Sequence, residues 1–63
     1  MHIMIKEPFL EHPQRVVYPA SCEALVANGV VIIKHPSGVD ATVTIDMFRY
    51  LIQEKMIRVV DKN

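Results

Sequence analysis

Tryptophan is absent from these 63 residues, cysteine and glycine are scarce (one and two), and the aromatic rings amount to two tyrosines and two phenylalanines. A lone Cys22 excludes an intrachain disulfide and suits a reducing compartment. Charge of one sign is missing too. Seven Lys and Arg balance seven Asp and Glu, which removes the electrostatic reason to expect nucleic acid or an anionic membrane as partner. No apolar run approaches the roughly 18 residues that a membrane-spanning helix needs. The start, Met1-His2-Ile3-Met4-Ile5-Lys6-Glu7, has neither the basic region nor the apolar length of a signal peptide. These absences predict a cytoplasmic chain with no membrane partner.

What is present is a high apolar content. Hydrophobic residues make up 51% of the chain, with nine valines, seven isoleucines and three leucines, too many for a solvated, disordered segment. The length accommodates one domain, 1–63, with 1–14 as a strand-or-loop segment at its beginning. Domains this small gain stability from disulfides, a metal or a partner. With the first excluded, association with itself or with another protein is the expectation.

Local patterns predict a small α+β domain. His2 to Lys6 alternates, with Ile3 and Ile5 on one side, as in a short edge strand. Pro8 and Pro13 bracket Phe9-Leu10-Glu11-His12 and forbid a long regular element there. Arg15 to Tyr18 is strand-like. Pro19 opens a first helix whose stripe is Cys22, Leu25 and Val26, and Asn28-Gly29 supplies its left-handed stop. Val30 to Ile33 are four β-branched residues and read as a central strand.

Pro36-Ser37-Gly38 predicts the central hairpin turn, with glycine in the left-handed position. The resulting register sets Lys34 opposite Asp40, Ile33 opposite Ala41, Ile32 opposite Thr42, Val31 opposite Val43 and Val30 opposite Thr44. Thr44 or Asp46 caps a second helix through about Glu54, burying Phe48, Leu51 and Ile52 and exposing Arg49, Gln53 and Lys55. Met56 to Val60 is the last strand, and Asp61-Lys62-Asn63 is a polar tail. Leu25-Val26 and Leu51-Ile52 align at a spacing of 26 residues, so the order β-α-β-β-α-β is suggested. The fallback is a mainly antiparallel sheet with two short helices on one face.

Candidate chemistry is sparse. His2, His12, His35 and Cys22 have no His-x-x-x-His or Cys-x-x-Cys spacing, and two of the histidines precede prolines, so no metal or other cofactor is expected. Cys22 lies on an apolar stripe and reads as a small buried hydrophobe. Ser21 and Ser37 occupy cap-like and turn positions, and Glu7, Glu11 and Glu23 sit in polar contexts. Without a nucleophile motif, a phosphate-binding loop or room for a water-excluding pocket, the chain is not expected to be an enzyme.

Two binding classes remain. A helix at 19–28 running into the Pro36-Ser37-Gly38 hairpin has the order of a recognition helix and wing, although the helix carries Glu23 and no cation to contact phosphate. Protein contact is favoured. Val30 and Ile32 share the face of Lys34, Asp40, Thr42 and Thr44, which helices on the other face leave uncovered, and short first and last strands offer free edges. Met4, Phe9, Leu10, Tyr18 and Tyr50 supply the Met and aromatic character of interface cores, while Phe9 and Leu10 suit the chain's own core equally. The expected function is non-enzymatic binding: an inhibitor or modulator of a larger macromolecular machine, self-associating, of the type phages and mobile elements encode. The alternatives are a small nucleic-acid-binding regulator and an accessory subunit.

Overall fold

The computed structural model describes residues 1–12 and 15–60. Their elements are β1 (His2–Ile5), β2 (Phe9–His12), β3 (Arg15–Val17), β4 (Ala20–Ala27), β5 (Val30–Lys34), β6 (Ala41–Thr44), α1 (Ile45–Gln53) and β7 (Ile57–Val59). Five strands form one antiparallel sheet in the order β6-β5-β4-β1-β7, and β2 and β3 pair as a separate hairpin. The α+β class and the mainly antiparallel sheet are as expected. The second helix is not: α1 is the only helix among the described residues.

The error lies at 20–27. Leu25 and Val26 suggested a helical stripe, yet they are 49% and 57% exposed, and this segment is the sheet's central strand. Its buried positions are Cys22 and Ala24, a period-two pattern hidden because both side chains are small. Asn28 and Gly29 both take positive φ, 51° and 79°, as the two-residue turn between antiparallel strands demands. They join β4 to β5 rather than ending a helix. The β-α-β-β-α-β order and the 26-residue repeat fall with that helix.

The hairpin β5–β6 follows the expected register from Val30↔Thr44 to Ile33↔Ala41. Gly38 stands at φ 90° and its N–H donates to the His35 carbonyl at 3.0 Å. Lys34 Nζ lies 2.8 Å from Asp40 Oδ2, a surface pair that contributes about 0–1 kcal/mol. Helix α1 begins where Thr44 Oγ1 accepts the Met47 N–H at 3.0 Å, satisfying one of the donors a first turn leaves open. It buries Phe48 and Leu51, with Ile52 half-buried.

Every buried sheet residue points to the same side. Ile3 and Ile5, Cys22 and Ala24, Val31 and Ile33, Ala41 and Val43, and Ile57 meet Phe48 and Leu51 of α1 and Phe9 and Val17 of the β2–β3 hairpin. The helix carries the chain from edge strand β6 to the opposite edge strand β7, and the hairpin fills the remaining space on that face. β1, expected at an edge, lies between β4 and β7. Between the prolines at 8 and 13 the chain forms only the four-residue β2, which pairs irregularly between Leu10 and His12. Pro13, which closes that bracket, and the tail 61–63 lie outside the described residues.

Candidate functional site

Among the described residues, no element lies over the second face of the sheet. Alternation places Thr42 and Thr44 of β6, Val30, Ile32 and Lys34 of β5, Ser21, Glu23 and Leu25 of β4, His2 and Met4 of β1, and Arg58 of β7 on it. Leu25 stands directly across from Ile32, and Ile32 across from Thr42. Val30 and Ile32 are half-buried by their neighbours alone. A polar belt adjoins this apolar end. Glu23 pairs with Lys34 across the strands, and its carboxylate lies 3.0 Å from His2 Nδ1 and 2.9 Å from the Met1 ammonium.

The two sheet edges differ. On β6 the outward Thr42 N–H donates to Glu11 Oε2 at 2.5 Å, and Arg15 donates to the Asp40 carbonyl. Glu11 was expected in a polar context. Its side chain is instead 5% exposed, with Arg15 Nη1 2.9 Å from Oε1, close enough for an ion pair but outside hydrogen-bond alignment. The hairpin thus holds a carboxylate and a guanidinium against the β6 edge, where an added strand would otherwise bond.

β7 is open only in part: Ile57 is 1% exposed and Val59 43%. Lys6 N–H donates to the Met56 carbonyl at 2.7 Å and Val60 N–H to the His2 carbonyl at 3.0 Å. These bonds fix the phase of the β1–β7 ladder: Arg58 turns its backbone groups to β1, and Ile57 and Val59 turn theirs outward. Beside this edge runs a groove of about 440 Å³, lined by Ile52, Ile57 and Val59 with Lys6, Lys55 and Arg58 around them.

A smaller cleft of about 80 Å³ lies between β3 and the β5–β6 turn. His35 holds it together. Nδ1 accepts the Ser37 N–H at 3.1 Å and Nε2 lies 3.0 Å from the Tyr18 carbonyl, which fits the neutral ring with its proton on Nε2. Cys22 is buried, and burial pushes its thiol pKa up, so the nucleophilic thiolate is disfavoured. Among the described residues no three His, Cys, Asp or Glu side chains gather as metal ligands do, and no helix is long and apolar enough to cross a membrane.

The residues singled out from sequence do not form one patch. Met4, Val30 and Ile32 share the open face, with Met4 beyond the polar belt. Leu10 is exposed on the outer side of the β2–β3 hairpin, Tyr18 at the corner before β4 and Tyr50 on the outside of α1. Phe9, 5% exposed, belongs to the chain's own core and is not available to a partner. Leu25 was missed because a helical assignment turned it inward. The recognition-helix argument loses its helix, since 20–27 is a strand. The chain matches no protein-family model, no curated protein and no solved structure.

Proposed function

We propose that this chain is a small non-enzymatic binding protein that works through protein–protein contact, pairing with a second copy of itself through the open face of its sheet. The observation that carries this is the row Leu25–Ile32–Thr42 with Val30 beside it, lying on a face that no element covers among the described residues. Apolar side chains clustered on an uncovered sheet face mark contact sites in small proteins. The adjoining belt favours self-pairing. Lys34 and Glu23 stand side by side, and a two-fold arrangement requires a patch that carries both halves of its own complement. Acting by occupancy, as an inhibitor or modulator of a larger assembly, is the role such a dimer serves without any catalytic group.

Sedimentation of the wild type and of a Leu25→Glu, Ile32→Lys double variant tests the self-pairing. The expected result is a dimer at micromolar concentration that the double variant abolishes while its far-ultraviolet dichroism stays unchanged. A wild-type monomer at the highest soluble concentration overturns it.

A further inference from the structure

We propose that the groove beside β7 binds a small amphipathic anion, a carboxylate carried on an apolar tail. This is a ligand site apart from the self-pairing face, and it does not depend on that pairing. Three observations converge. The groove holds about 440 Å³, within the range of ligand sites, roughly 300–1,000 Å³. Its apolar lining is the half-buried Ile52 of α1 and Val59 of β7, 43% exposed, together with the enclosed Ile57. Its charged lining is of one sign: among the described residues Lys6, Lys55 and Arg58 line it, no carboxylate does, and no ion pair engages these three.

Lys55 adds a conformational argument. It follows the helix cap Glu54 and stands at φ 63°. Its N–H donates to the Ile52 carbonyl at 3.0 Å, and the Met56 N–H donates to the Leu51 carbonyl at 2.9 Å. These two bonds form the helix stop in which glycine is the usual left-handed residue. A side chain there carries a steric cost that glycine avoids, and here that side chain is a cation on the groove. The occupant follows from these surroundings. Ile57 is 1% exposed, so the strand offers no continuous backbone edge and recognition falls to side chains. The Lys6 N–H donates to the Met56 carbonyl at 2.7 Å, which sets Lys6 beside the residue that follows Lys55. One carboxylate head therefore meets two ammonium groups brought together from separate elements, and an apolar tail covers Ile52 and Val59. Ammonium groups act as point charges on flexible stems, which suits a head group held at an open rim.

The test is titration of decanoate into isotopically labelled full chain at neutral pH, followed by amide shifts. Binding is expected to move the amides of Ile52, Lys55 and Val59. Shortening the tail to octanoate weakens binding by about fourfold, the effect of two methylenes each half-buried in the groove. Lys6→Glu with Lys55→Glu weakens it by about tenfold or more. Lys55→Gly, which removes the charge and eases the backbone, weakens it by about threefold. Decanol, with the same tail and no charge, binds more weakly than decanoate. Repeating the titration on the Leu25→Glu, Ile32→Lys variant separates this site from self-pairing, since the groove response persists there whether or not the wild type dimerises. Equal binding of decanol or decyltrimethylammonium, shifts confined to the open face, or no shift at millimolar decanoate overturns the proposal.

Discussion

Glu11 shows how one side chain can close an edge of a sheet. Its carboxylate is nearly enclosed, accepts the Thr42 N–H and lies beside Arg15. An edge amide that loses its acceptor under a covering hairpin keeps the desolvation cost and gains nothing back. Glu11→Ala is therefore expected to lower the unfolding free energy by about 1–3 kcal/mol. Glu11→Gln, which retains an acceptor oxygen, costs less than half of that. Urea denaturation of the three proteins decides it, and equal stability of Glu11→Ala and wild type removes the carboxylate from the account. The sequence did not signal this role, because Glu11 lies 31 positions from Thr42. Burial of a charge by long-range folding leaves no local trace. Val30 and Ile32 were legible for the opposite reason: a strand two positions in period, fixed by the Pro36-Ser37-Gly38 turn that follows it, assigns each side chain to a face.

At the level of elements, turn chemistry separates what could be read from what could not. The hairpin β5–β6 and the helix α1 each carry their own local signals: Pro36 and Gly38 for the first, the Thr44 cap and the Phe48–Leu51 stripe for the second. Strand β4 carries a conflict. Its spacing at Cys22, Leu25 and Val26 imitates a helix, while Asn28-Gly29 fits both a helix stop and a two-residue hairpin. Tertiary structure settles the conflict, since a strand at 20–27 joins the β1–β7 pair to the β5–β6 pair in one sheet. The groove at β7 was equally hidden, because its lining comes from β7, the end of α1 and Lys6, which are far apart in sequence. The turn itself makes a sharp prediction. A Cβ on Gly29 meets nothing within 4 Å, but the backbone φ of 79° is left-handed. Gly29→Ala thus tests conformational strain without a clash, and the expected loss is about 1–2 kcal/mol. Urea denaturation measures it, and a loss below about 0.3 kcal/mol shows that the loop relaxes to another turn, contrary to the two-residue geometry.

For the whole molecule, a single layer of helix and hairpin covers one face of a five-stranded sheet, and no element among the described residues covers the other. Folding coupled to dimerisation obeys mass action, so stability depends on protein concentration in a way that an autonomous monomer does not show. Raising the concentration a hundredfold adds about 1.4 kcal/mol per protomer to a folded dimer in equilibrium with unfolded chains. For a domain near this size, that corresponds to a rise in Tm of about 5–10 °C. Calorimetry across that range is expected to show the rise for the wild type. The Leu25→Glu, Ile32→Lys variant, with two charges of opposite sign set into the open face, should melt at one temperature throughout. A wild-type Tm independent of concentration means that the chain folds without its copy. The open face must then be stable in water as it stands, its Leu25–Ile32 pair sheltered only by Thr42, Val30 and the neighbouring polar belt.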